Sequence, residues 1–271
     1  MEYEINKVYN RRLHIHGKYG GQQQGGICTP ADAPFIFLFT GESGEQYGYN
    51  DGPDEDGVFL YTGEGQIGPM EFIRGNKAIR DHEANGKDLL LFQALGKNKG
   101  YRFLGNYACA NYEFREAPDR EGTIRKVIVF HLVNADLEDL EQDELALQNN
   151  NSRLTVEQLR TRAYDASNAH QGVAGKPAKT TYRKRSQAVK DYVLARANGI
   201  CECCRLPAPF KRKDGSDYLE PHHIRRVSDG GPDHPRWVAG ICPNCHRQIH
   251  CGINGEIFNQ QLQNYIAGIE G

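Results

Sequence analysis

Two cysteine pairs, Cys201-x-x-Cys204 and Cys242-x-x-Cys245, constrain this chain more than any other feature. Each pair can form a knuckle offering two thiolates, and the segment between them is long enough to fold back and complete one tetrahedral Zn²⁺ site. Six of the eight cysteines, Cys201, Cys203, Cys204, Cys242, Cys245 and Cys251, crowd into this region among histidines. That clustering favours a metal in a reducing compartment over a disulfide framework. Cys203 has one intervening residue from Cys201, a poorer knuckle spacing, and Cys251 reads as a bystander. Cys28 and Cys109 stand apart and read as core or free thiols. Four thiolates leave no open position on zinc, so the site they form is structural.

Histidines flank both knuckles, in "EPHHI" (Glu220 to Ile224) and in "CPNCHRQIH", which ends at His250. If the segment after Cys245 is helical, His246 and His250 lie four apart on one face and can share an ion. Adjacent His222 and His223 on an extended segment point to opposite sides. One of them can join that ion while the other does something else.

Elsewhere the chain changes character along its length. From Lys7 to Val133, apolar runs such as "APFIFLFTG", "GVFLYTG", "DLLLFQALG", "YRFLGNYACANYEF" and "IRKVIVFHLV" alternate with turn residues, which predicts a mainly β, barrel-like domain. "DLEDLEQDELALQ", "TVEQLRTRAYDAS" and the basic "YRKRSQAVKDYVLARANG" then have helical spacing, the last ending at Gly199. The formal charge of −2 hides an asymmetry. From Ser152 onward 18 Lys and Arg stand against 11 Asp and Glu, a net +7, while the preceding part, 15 against 24, carries −9. The C-terminal half is therefore the part suited to a polyanion. No apolar run reaches the roughly 20 residues that span a bilayer, and the first residues lack a signal core, so the expected location is cytoplasmic.

"CECC…YLEPHHIRRVSDGG…ICPNCHRQIH" resembles the HNH nucleases with a ββα-metal core, most closely the McrA-like restriction enzymes. The resemblance implies that His222, His246 and His250 hold a catalytic divalent ion, Mg²⁺ or Mn²⁺, and that His223 is the general base. Zinc on Cys201, Cys204, Cys242 and Cys245 would fix the strand and helix carrying them. The motif's middle asparagine falls near Arg236 and Trp237, where this chain has none.

"YGYNDGPDEDGVFLYTGEG" (Tyr47 to Gly65), with "RRLHIHGKYGGQQQGGI" before it and "GNKAIRDH" and "GKDLLLF" after it, resembles the SRA domains that flip a modified cytosine out of duplex DNA. By that resemblance Tyr49 and Tyr61 stack on the flipped base, and Asp51 and Thr62 contact its edge. The family usually has two adjacent acids after the tyrosine; this chain has Asp51 and then Gly52. A carboxylate suits the N4 amine of cytosine and rejects the carbonyl that thymine presents there. Gln22, Gln23 and Gln24, between glycines, would fill the gap left in the duplex. Together the two resemblances imply an SRA-HNH modification-dependent restriction endonuclease of α+β class. Its parts would be a 5-methylcytosine or 5-hydroxymethylcytosine reader with an SRA/PUA-like β-barrel (1–135), an acidic helical linker (136–185) and an HNH domain (186–271). A homodimer would cut both strands. The rival readings are an HNH enzyme reading phosphorothioate or methyladenine, and a non-catalytic DNA-binding protein scaffolded by zinc.

Overall fold

A computed structural model describes residues 3–41, 51–135, 154–168, 178–225 and 232–271. Tyr49 and the expected acidic helix across "DLEDLEQDELALQ" lie outside the described residues. The chain divides into two compact units, Met1–Leu140 with His170–Tyr182, and Glu141–Ala169 with Arg183–Gly271.

The first unit is an eight-stranded sheet. Along it the order is β2 (Ile27–Cys28), β3 (Phe35–Thr40), β6 (Asp88–Ala94), β7 (Tyr101–Pro118), β8 (Ile124–Asn134), β5 (Phe59–Thr62) and β4 (Gly52–Pro53); β1 (Val8–Tyr9) pairs with β7. All pairings are antiparallel except β3 with β6. That exception explains the unbroken apolar run "FIFLFT", because a parallel strand is covered on both faces. Ile36 and Leu38 pack with Leu89, Leu91, Ile128 and Phe130 on one side. Phe35, Phe37 and Phe39 turn the other way, where Phe37 and Phe39 meet the ring of Phe92 and Phe37 that of Tyr3. A π-helical turn, Arg11–His16, runs into α1 (Gly17–Tyr19), and α2 (Arg74–Arg80) buries Ile79 in the same core as β3. The path ends at β2 and β4, and the sheet curls enough that the Tyr61 hydroxyl on β5 donates to the Gly26 carbonyl beside β2, at 2.8 Å.

In the second unit α3 (Val156–Asn168) and the part of α4 (Ala178–Ala197) from Arg183 onward pack through Leu159, Ala163, Val189, Tyr192 and Val193. Helix α4 stops before Asn198 and Gly199, both left-handed at φ 47° and 76°, the termination expected at this glycine. A two-stranded hairpin of β9 (Glu220–His223) and β10 (Val238–Ile241) leads into α5 (Pro243–Cys251) and then α6 (Gly255–Glu270). Gly240 lets α4 approach β10 closely, since a Cβ there would lie 3.0 Å from that of Ala197. With this ββα arrangement and four clustered cysteines in one unit and a sheet in the other, the protein is α+β, as its sequence predicts. Among the described residues no helix is long and apolar enough to cross a membrane.

Candidate functional site

The histidine cluster follows from strand and helix periodicity. His222 pairs with Ala239 and His223 with Val238 across the hairpin, so the two adjacent rings leave opposite faces of β9. Helix α5 begins with Pro243 immediately after Cys242, which sets His246 and His250 one turn apart. His222, His246 and His250 each bring a ring nitrogen within 4.8 Å of the others. Their ring centroids lie 5.1, 5.2 and 5.0 Å apart.

Neighbouring groups set which nitrogen of His222 and of His246 carries the proton. Asn259 on α6 donates its amide to the Ile224 carbonyl at 2.6 Å, which turns its Oδ1 toward His222 Nε2 at 3.1 Å. Nε2 must then be the protonated nitrogen, and His222 Nδ1 keeps its lone pair. Glu220 Oε2 lies 2.6 Å from His246 Nδ1 and accepts a hydrogen bond from its N–H, leaving Nε2 as a ligand atom. The hydrogen bond from His246, helped by one from Tyr218, holds the Glu220 carboxyl below its usual range against the effect of burial. Such outer partners orient metal-binding imidazoles and raise their basicity. Three neutral imidazoles suit a divalent ion with open positions for water and phosphate.

His223 faces elsewhere. Its Nε2 lies 3.0 Å from Asp233 Oδ1, and both residues are buried. Burial tends to raise the Asp233 carboxyl, but the hydrogen bond and charge of His223, with the charges of Lys190 and Arg185, hold it low. The next residue, His234, is pushed down to about 4 by burial and by Arg236, and its Nδ1 accepts the Arg236 N–H, so it is neutral near pH 7.

The sulfurs of Cys201, Cys204, Cys242 and Cys245 also lie within 4.8 Å of one another. Tetrahedral zinc with Zn–S bonds of about 2.3 Å holds its sulfurs roughly 3.8 Å apart, so this donor set fits zinc. Two backbone links brace the knuckles: Cys242 N–H donates to Cys201 Sγ at 3.2 Å, and Glu202 N–H to the Gly240 carbonyl at 3.0 Å. Arg205, after the first knuckle, takes a left-handed φ of 64° to close the turn. Cys203 and Cys251 are not part of the cluster.

In the first unit Asp51, Tyr61 and Thr62 line one cavity of about 540 Å³ with Arg11, Thr40 and Gln22. That volume is within the range of small-molecule pockets, about 300–1,000 Å³. Tyr61 is 2 % exposed, its ring fixed by the bond to the Gly26 carbonyl and a longer one of 3.4 Å to that of Phe39. Asp51 Oδ1 accepts the Thr62 N–H at 2.7 Å. Burial pushes its carboxyl up, opposed by hydrogen bonds with Thr62 and Thr40. Gln22, Gln23 and Gln24 are exposed on a loop where Gly20, Gly21 and Gly25 have φ of 67°, 79° and 88°. Gln22 alone of the three lines the cavity, and its amide donates to the Gln24 carbonyl at 2.7 Å.

Four further residues belong to these sites without having stood out in the sequence. Glu220, Asp233 and Asn259 hold the histidines, and only Glu220 is near them in sequence. Arg11 stacks 3.7 Å over the Phe39 ring and donates to the Gly25 carbonyl at 3.0 Å, tying the glutamine loop to the cavity wall.

The family model described as "ScoMcrA-like, SRA domain" matches residues 5–150, and "HNH endonuclease" matches residues 201–252. The type IV methyl-directed restriction enzyme EcoKMcrA of Escherichia coli (strain K12) is 43% identical over 78 residues, which is 29% of this chain and 28% of that enzyme. The chain thus spans little more than a quarter of that curated relative. The structure of the type IV phosphorothioation-dependent restriction endonuclease ScoMcrA aligns with 98% of this chain and 60% of its own, at 22% identity and a TM-score of 0.43. The modification-dependent TagI restriction endonuclease aligns with 92% of this chain and 78% of its own, at 21% identity and a TM-score of 0.36.

Proposed function

Because the chain belongs to the ScoMcrA-like SRA domain family and carries an HNH domain after it, we propose that it is a modification-dependent restriction endonuclease acting on DNA with a modified cytosine. The observation that carries the nuclease reading is the convergence of His222, His246 and His250 on one point, with an oriented His223 on the other face of the same strand. A zinc scaffold alone needs only the four cysteines. The reader is residues 1–135, the linker 136–185 and the nuclease 186–271.

His222 Nδ1, His246 Nε2 and a nitrogen of His250 would hold the catalytic ion, Mg²⁺ or Mn²⁺, which when bound would supply positive charge against the scissile phosphate and the leaving oxygen. His223 takes a proton from the attacking water at Nδ1, as a neutral imidazole near pH 7 can. Zinc on the four cysteines holds β10 and α5 in place. In the reader, Asp51 accepts the N4 amine of the flipped base, Thr62 contacts its edge, and Tyr61 and Tyr49 cover its faces. Extrusion costs a few kcal/mol, which two aromatic faces help offset. Gln22, Gln23 and Gln24 enter the gap. One histidine site cuts one strand, so a homodimer or successive nicks complete the break. A DNA-cutting enzyme of this kind works in the bacterial cytoplasm.

EcoKMcrA is described as methyl-directed and ScoMcrA as phosphorothioation-dependent. Asp51 favours the first mode for this chain, because a carboxylate suits a cytosine amine and repels a backbone anion. The test is cleavage, with Mg²⁺ or Mn²⁺, of matched duplexes carrying cytosine, 5-methylcytosine, 5-hydroxymethylcytosine, 6-methyladenine or a phosphorothioate. A single methyl group discriminates by roughly 10 to 200-fold, so preference and not exclusion is expected. Cutting confined to phosphorothioate or methyladenine DNA would overturn the cytosine assignment, and no cutting of any duplex would overturn the nuclease.

A further inference from the structure

We propose that Asp233 is the positioning residue for the base: it fixes His223 as the tautomer with its lone pair on Nδ1 and steadies the imidazolium that forms. The inference rests on the nuclease reading above. A carboxylate only accepts, so the 3.0 Å contact between Asp233 Oδ1 and His223 Nε2 requires the proton on Nε2. Both side chains are almost wholly buried, with Asp233 1 % and His223 5 % exposed, so water does not compete for the bond.

Asp233 is itself held from two helices. Ser167 of α3 donates to its backbone carbonyl at 3.1 Å. Arg185 and Lys190, buried on α4, lay positive charge toward its carboxylate and keep it an anion. Two residues on, Arg196 of α4 donates to the Pro235 carbonyl at 3.1 Å and fixes the turn Pro235–Trp237 that follows. This turn occupies the place of the motif's middle asparagine, and Asp233 supplies an anchor from its leading edge. During cleavage a water proton moves to His223 Nδ1, the resulting hydroxide bonds to phosphorus, and the leaving oxygen departs with the electrons of the broken P–O bond. Asp233 stays ionised beside the imidazolium throughout.

The test uses full-length, zinc-loaded protein labelled with ¹⁵N-histidine. Long-range ¹⁵N–¹H correlation reads the tautomer of each ring, and the signals lost in His223→Gln assign His223. A protonated Nε2 and an unprotonated Nδ1 are expected in the unsubstituted protein. Asp233→Ala should mix the tautomers and lower kcat roughly 100-fold, inside the about 10²–10⁴-fold that a positioned base contributes. Its KM for DNA and its zinc content should stay within twofold. Asp233→Asn can still accept the Nε2 proton but lacks the charge, so the tautomer should return and kcat recover only in part. A protonated Nδ1 in the unsubstituted protein, or Asp233→Ala cutting at the full rate, would overturn the proposal. If no duplex is cut at all, the nuclease reading fails, while the spectrum still decides the pairing.

Discussion

Asp51 accepts the Thr62 N–H from a half-buried position on the cavity wall, so an amide in its place keeps that bond and loses only the charge. Asp51→Asn should leave thermal stability nearly unchanged and cost about 1–3 kcal/mol of discrimination between cytosine and thymine, measured by binding to duplexes differing at that base. Tyr61 is a poorer probe. It is buried in the same core as Phe59 and Leu132, and truncating such an aromatic costs about 3–5 kcal/mol of folding energy whatever it reads. For His223, alanine should abolish cleavage while zinc content and DNA binding persist, checked by elemental analysis and a gel-shift titration. Loss of zinc in that variant would show that the two metal sites depend on one another. The separate fates of His222 and His223 were legible in the sequence, because strand alternation follows from their adjacency alone. Asp233 was not: ten residues separate it from His223, and no local period connects an acid to a ring at that distance.

One side chain of α4 ties together several distant segments of the second unit. Arg196 forms a two-pronged pair with Glu202 at 2.8 and 2.9 Å, reaches Glu270 at 2.9 Å and donates to the carbonyls of Pro235 and Val238. Tyr192 and Tyr164 add hydrogen bonds of 2.6 Å to the same Glu270. Arg196→Ala would strand two carboxylates that are 3 % and 0 % exposed, so a loss of about 3–5 kcal/mol in denaturant unfolding is expected. Burial tends to raise the Glu270 carboxyl, but Tyr164, Tyr192 and Arg196 outweigh it and hold it below the ordinary 4.5. A carboxyl lowered on folding stabilises the folded state above its unfolded pKa, and that contribution fades as pH falls through the folded value. The stability gap between the unsubstituted protein and Glu270→Gln should therefore narrow as pH falls through the ordinary 4.5 and close below the lowered folded value, with zinc release common to both. The longer strands of the first unit and helices α3 and α4 were readable from apolar runs, helical spacing and turn residues, whereas α2 and α6 were not. The network was not, because Arg196, Glu202 and Glu270 come from three distant segments and look like surface charges in sequence.

For the whole molecule, two kinds of donor set imply two affinities. Four thiolates would enclose an ion, whereas three histidines in the proposed nuclease would have to leave room for water and phosphate. Mild EDTA should therefore stop cleavage while one zinc per chain remains, and added Mg²⁺ or Mn²⁺ should restore it, followed by elemental analysis alongside a nicking assay. Active, unchelated enzyme lacking zinc would refute the structural site. The cysteine pairs announced that site in the sequence, since knuckle spacing is local. The cavity of the first unit was only partly announced, because its wall draws on Arg11, Gln22, Thr40, Asp51 and Tyr61 from separate strands and loops. The knuckles have one further effect. They clasp the stretches on either side of the segment that carries His222, His223 and Asp233, and the second of them opens the helix bearing His246 and His250. On the proposed reading, a chain that has not captured zinc would leave the segment bearing His222 and His223 untied from the helix bearing His246 and His250, so its cutting site would assemble only after the metal binds.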